Sequence, residues 1–164
     1  MAEMPGIIHI RVDDRLLHGQ VCAVWTGTLE STRIMVANDA VAENDLRKSA
    51  LRMAAPPTVR TSLIGVERAA RQILEGKYAG QRVFLIVDGP ADLLRLLDYG
   101  LPIKTVNVGN MAPADATARQ IKKSVSLTPE QEADFRKVIE RGVDVTSQMV
   151  PSDPMSHLID FLDA

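Results

Sequence analysis

Apolar runs of about five residues alternate along this chain with stretches whose apolar positions recur every three or four residues. The runs read as buried strands and the stretches as amphipathic helices. Their alternation is the pattern of repeated βα units, which pair their strands in parallel. Seven strands are predicted: Ile7–Val12, Arg33–Ala37, Val59–Ile64, Val83–Val87, Thr105–Val108, Ser124–Leu127 and Val143–Met149. Helices are predicted over Gly19–Gly27, Val41–Ala54, Val66–Glu75, Ala91–Tyr99, Pro129–Arg141 and Pro154–Leu162. Local punctuation agrees. Pro56-Pro57 stops the second helix, Gly76 and Gly100 follow the third and fourth, and Thr128-Pro129-Glu130-Gln131 carries an N-cap, a proline at the first helical position and a capping-box Gln. Gly109–Lys122 has no regular period and reads as a loop or irregular helix overhanging the strand ends.

Composition narrows the class. With 164 residues, 46% hydrophobic and 24% charged, the chain is expected to form one well-cored domain over residues 1–164. A net charge of -2, with the 19 Lys and Arg dispersed, argues against nucleic acid or an anionic membrane surface as a general partner. The single Cys22 allows no internal disulfide, and no apolar run approaches the roughly 20 residues that span a bilayer. The N-terminus lacks the basic start and long apolar stretch of a signal peptide, so a cytoplasmic location is expected. No Cys or His is spaced with a partner for a metal, and no Walker-type loop is present, so neither metal nor nucleotide cofactor is expected.

The densest chemistry lies in Arg11-Val12-Asp13-Asp14-Arg15-Leu16-Leu17-His18-Gly19-Gln20-Val21, which sets one imidazole among four charges. It falls between the first predicted strand and helix, where an open α/β sheet keeps its ligand site. A helix opening after His18 aims free backbone N–H groups at the turn, which favours an anion. Neutral imidazole is nucleophilic near pH 7, and a phosphoryl group on it would sit among Arg11, Arg15 and the N–H groups of Gly19 and Gln20. Arg15 is the residue best placed to neutralise phosphoryl oxygens. Arg11 ends an apolar strand, so it should face the crevice or pair with Asp13 or Asp14. Either aspartate could orient His18. Asn38-Asp39, Asp88-Gly89-Pro90, Asn107–Asn110 and Gln148–Asp153 also fall at predicted strand ends. Turn and cap chemistry explains most of these, but Asn107 and Gly109 could line a phosphoryl pocket, since a glycine there lets backbone approach a bound group. His9 reads as a hydrogen-bonded sheet histidine, His157 as a helix-surface residue, and Cys22 and Trp25 as packing. These residues alone leave three readings open: a phosphocarrier acting through His18, an enzyme on a phosphorylated metabolite, or a module that senses phosphorylation.

The segment Arg11–Val21 closely resembles the phosphorylation site of the IIB component of the mannose, fructose and sorbose family of the bacterial phosphotransferase system. The commoner family form has Ile at the positions of Val12 and Leu17. Lys104–Met111, Lys122–Val125 and Pro151–Asp153 resemble further family segments, with Asn110 standing where members often have a second glycine. The resemblance implies a doubly wound α/β fold with a mainly parallel seven-stranded sheet and helices on both faces. It implies that His18 is phosphorylated, with Arg11, Asp13, Asp14 and Arg15 forming its pocket. It also implies a IIA component as donor, transfer to a sugar bound by membrane components IIC and IID, and peripheral attachment to that transporter. Which sugar is carried, and whether the chain forms a homo-oligomer, are left open.

Overall fold

The computed structural model describes residues 4–163, with the side chains of Gln20 and Val21 outside that description. Its centre is a seven-stranded sheet of β1 (Ile7–Asp13), β2 (Arg33–Ala37), β3 (Arg60–Ile64), β4 (Val83–Val87), β5 (Thr105–Asn110), β8 (Asp144–Ser147) and β9 (Ser156–His157), in the order β3-β2-β4-β1-β5-β8-β9. All pairings are parallel except β8 with β9. A separate antiparallel pair, β6 (Arg119–Lys122) and β7 (Val125–Leu127), sits beside the end of β5.

Side-chain alternation divides the core in two. Ile10, Val12, Met35, Leu85 and Val87 pack against α4 (Val66–Leu74), α5 (Pro90–Asp98), α6 (Pro129–Glu140) and α7 (Leu158–Leu162). Ile34, Val36, Phe84 and Ile86 pack against α1 (Gly19–Leu29), α2 (Asp39–Ala42) and α3 (Asp45–Ala54). β4 is buried at all five positions, as a central parallel strand covered on both faces requires. β1 lies between β4 and β5 yet sends its chain to the α1 face, while α5 and α6 lie on the other. A crevice therefore opens at its carboxyl end.

The doubly wound α/β class matches the expectation, but the seven strands are not the seven predicted. Ser124–Leu127 does not join the main sheet: it becomes β7 and pairs with β6, inside the segment expected to be irregular. The seventh strand is β9, taken from the start of the helix predicted over Pro154–Leu162. Backbone pairing of Thr146 with His157 and of Ser147 with Ser156 overrides the helical pattern there. Val41–Ala54 is likewise two helices. The Asn44 side chain accepts from Arg47 N at 3.0 Å and Asn38 accepts from Val41 N at 2.9 Å, and each such cap starts a helix of its own. The Thr128–Gln131 capping box forms as predicted, with bonds of 3.1 and 2.9 Å.

Candidate functional site at the end of the first strand

The strand period of two puts His9, Arg11 and Asp13 on the α1 face of β1, with Ile10 and Val12 in the opposite core. After Asp13 the chain turns tightly. Leu16 N donates to Asp13 O at 2.9 Å, and Arg15 N donates to Asp13 Oδ1 at 3.0 Å. Leu16 takes a left-handed φ of 60°, a conformation that costs a non-glycine residue roughly 1 kcal/mol. Burial of Leu16 and Leu17 in the core under α1 offsets that strain and anchors the turn directly before His18. His18 is the extended N-cap residue of α1, its carbonyl accepting from Cys22 N at 3.3 Å. Gly19 has a φ of 40° with open space around it, so glycine is needed there for its backbone.

Asp13 is the hub. Its fully buried carboxylate accepts at Oδ2 from Arg11 Nε at 3.3 Å, from Arg11 Nη2 at 3.1 Å and from His18 Nε2 at 2.8 Å. An ionised carboxylate is an acceptor only, so Nε2 of His18 carries a proton and Nδ1 holds the lone pair of the neutral ring. The His18 side chain is 17% exposed, open enough for a partner to reach it. Which aspartate orients His18 is thereby resolved in favour of Asp13. Asp14 instead accepts from Asn110 Nδ2 at 2.7 Å and from Ala112 N at 2.8 Å, tying the loop after β5 to the site.

Arg11 does not face an open crevice. Its guanidinium is 2% exposed, paired with Asp13, and donates through Nη1 to Gln148 O at 3.1 Å. Burial pulls its pKa below the ordinary arginine value, an effect that Asp13 opposes. Trp25 lies across it at 5.4 Å and donates Nε1–H to Met149 O at 2.8 Å. His9 stacks on Trp25 at 4.8 Å, and its buried Nε2 has no hydrogen-bond partner among the described residues, so it is not the hydrogen-bonded sheet histidine expected. Burial and then Arg11 push the His9 pKa down to about 4, which keeps that ring neutral.

The other expected pocket residues are placed differently from their sequence reading. A Cβ on Gly109 would lie 1.9 Å from Arg11 Cζ, so the group this glycine lets approach is the Arg11 side chain. Asn107 is buried and grips the Gln148 backbone, donating to its O at 3.0 Å and accepting from its N at 2.9 Å. Both residues thus set the wall behind His18. Arg15 is exposed, with its backbone bonded to Asp13 and its side chain at the surface. The Gln20 side chain lies outside the described residues.

Sequence reasoning passed over Gln148 and Trp25 as site residues. Gln148 acts through its backbone, which leaves no trace in residue type, and Gln148–Asp153 reads from residue type as a turn or a helix cap. Asp153 Oδ2 accepts from Met149 N at 3.1 Å and Val150 N at 3.2 Å and so closes that turn rather than capping a helix. Beside it a pocket of about 390 Å³ is lined by Asn110, Lys122, Lys123, Ser124, Met149 and Asp153. His157 is at the end of β9 and pairs with Asp144 at 2.8 Å, far from this cluster in the sheet order.

Residues 7–164 match the family described as the PTS system sorbose subfamily IIB component. The chain is 34% identical over 159 residues to the fructose-specific EIIB component of Bacillus subtilis, covering 97% of each. It is 37% identical over 152 residues to the mannose-specific EIIAB component of Escherichia coli K12, covering 93% of this chain and 47% of that one. The crystal structure of the IIBSor domain of the sorbose permease from Klebsiella pneumoniae superimposes with a TM-score of 0.90 at 34% identity, covering 96% of both chains.

Proposed function

The chain belongs to the sorbose subfamily of phosphotransferase-system IIB components, and from that premise we propose that His18 is the residue that carries its phosphoryl group. IIB components of this family are phosphotransferases that take a phosphoryl group from IIA and pass it to a sugar. The observation that carries the assignment is the 2.8 Å contact of Asp13 Oδ2 with His18 Nε2. It leaves Nδ1 as the nucleophile. Its lone pair attacks the phosphorus on the donor imidazole of IIA, the donor P–N bond breaks, and the electron pair returns to the donor ring. The His18 ring, still protonated at Nε2, becomes cationic, and the buried Asp13 carboxylate is already in place to balance it. In the second transfer a sugar hydroxyl attacks phosphorus, the P–Nδ1 bond breaks, and the hydroxyl proton leaves to solvent.

Phosphoryl oxygens need cations or N–H donors that are not already engaged. Arg11 is committed to Asp13 and Gln148, so that role falls to Arg15 and to the N–H groups at the start of α1, Gly19 and Gln20 among them. Asp14 holds the Asn110 loop, and Asn107 with Gly109 keeps Arg11 and Gln148 in register behind the ring. The whole chain serves as one IIB domain in this reading, working with IIA and with IIC and IID at the membrane. No helix among the described residues is long and apolar enough to cross a bilayer, so attachment would be peripheral. Relatives named for fructose, mannose and sorbose all match this chain in sequence over most of its length, which supports leaving the choice of sugar to the membrane partners.

The test is incubation with phosphoenolpyruvate, the general phosphotransferase proteins and a family IIA, followed by intact mass measurement. One added phosphoryl group is expected on the parent chain and none on folded His18→Gln. An equal mass shift in that variant would reject His18 as the carrier.

A further inference from the structure

At the far edge of the sheet, three strand positions from β1, a hollow of about 360 Å³ is lined by Arg33, Lys48, Arg52, Arg68 and Lys77. No Asp or Glu is among the described residues that line it. Lys48 has Asp45 at 3.8 Å, and that carboxylate is fully exposed. These cations come from β2, from α3 on one face of the sheet, from α4 on the other, and from the segment after α4. They converge although the protein as a whole carries a net charge of -2. The floor of the hollow is β3, which among the described residues pairs only with β2. Arg60 N donates to Thr32 O, and Ile64 O accepts from Asn38 N, both toward the β2 side. Backbone direction alternates along a strand, so the N–H and C=O groups of Thr61 and Leu63 face outward into the cationic hollow.

We propose that this edge is a docking groove for an extended acidic segment of a partner protein, which adds to β3 as a further strand. An edge strand offers a row of backbone donors and acceptors to an incoming chain, and walls of one sign select its charge. Guarding an edge against aggregation takes a lysine or two, whereas five cations drawn from β2, α3, α4 and the segment after α4 form a field aimed at one place. A second copy of this chain does not fit, because two such edges would bring like charges face to face. Five residues of β3 span about 17 Å, enough to seat a short strand. The groove is separated from β1 by three strand spacings, about 14 Å, so it can be filled while His18 remains open to IIA.

The probe is a blocked heptaglutamate peptide, set against its fully N-methylated counterpart, which keeps every charge and has no backbone donor. Fluorescence anisotropy reads affinity at low salt, and amide hydrogen exchange reads the strand. The expected result is binding of heptaglutamate at least about tenfold tighter than the N-methylated peptide, with slowed exchange at Thr61 and Leu63. Binding should weaken at least tenfold in Arg52→Glu/Arg68→Glu and disappear near 1 M salt, where the screening length falls to about 3 Å. The variant's unchanged phosphorylation at His18 serves as its folding control, and Lys77→Glu is a second variant if the pair does not fold. Equal affinity for the two peptides, unprotected Thr61 and Leu63 amides in the bound state, absence of binding, or binding to anionic vesicles without binding to peptide would each overturn the proposal.

Discussion

Asp13→Asn is the perturbation that presses hardest on the site. The carboxylate accepts at both oxygens, from Arg11 and His18 at Oδ2 and from Arg15 N at Oδ1. A carboxamide has one accepting oxygen, so in either orientation its NH2 group faces a donor. Arg11, 2% exposed, also loses its counter-charge, and breaking a buried pair this way costs about 3 to 5 kcal/mol. Loss of the negative partner to a ring that turns cationic on phosphorylation should slow transfer by about 10²- to 10³-fold. Adding Arg11→Met separates the two effects. It removes the stranded charge, so most of the stability returns, while no charge is restored beside His18 and the carboxamide is freed to donate to Nε2, which moves the ring proton to Nδ1. Urea unfolding gives the first quantity and rapid-quench phosphoryl transfer from phosphorylated IIA the second. Recovery of both stability and transfer rate in the double variant would refute the argument and reduce Asp13 to a counter-ion for Arg11.

Gly109→Ala should lower stability by at least about 2 kcal/mol and depress phosphorylation with it, because the added Cβ overlaps the Arg11 guanidinium; an unaltered urea midpoint and rate would contradict this. Arg15→Ala should slow transfer with little change in stability, since the side chain is exposed, and equal rates at saturating IIA would remove it from the mechanism. Stability should also depend on pH through His9. Its pKa is about 4 when folded against 6.5 unfolded, so both states are neutral above 6.5, and as pH falls toward 4 the unfolded chain takes up a proton that the native ring refuses. The parent should lose up to about 3 kcal/mol across that window, and His9→Phe should show a shallower slope; parallel stability curves would contradict the assignment.

The parts of the molecule legible in the sequence were those where local pattern and tertiary structure agree. All six parallel main-sheet strands run within two residues of their predicted ends, and Arg33–Ala37 and Val83–Val87 are predicted to the residue. β9 and β6 escaped because each is short and exists only through its partner strand, information that a single segment does not contain. Asn44 was readable as a cap in principle, but its split of the second helix was hidden by an apolar period that continues across it. At the site, the charge density of the motif around His18 singled out residues that the fold does bring together, Arg11, Asp13 and His18. Residue type could not tell Asp13 from Asp14, however: the strand alternation sends one beneath His18 and the turn sends the other toward Asn110. Gly109 was recognised as a place of close approach, and only the fold revealed that the approaching group is Arg11.

The central claim, that Asp13 fixes the His18 tautomer so that Nδ1 takes the phosphoryl group, is tested most directly by long-range proton–nitrogen NMR on protein labelled with 15N-histidine, before and after phosphorylation at neutral to basic pH. The account predicts a neutral His18 ring protonated at Nε2 in the free protein, and a phosphorylated ring with phosphorus on Nδ1 and the proton still on Nε2. Phosphorus on Nε2 of His18, or on either nitrogen of His9 or His157, would contradict it.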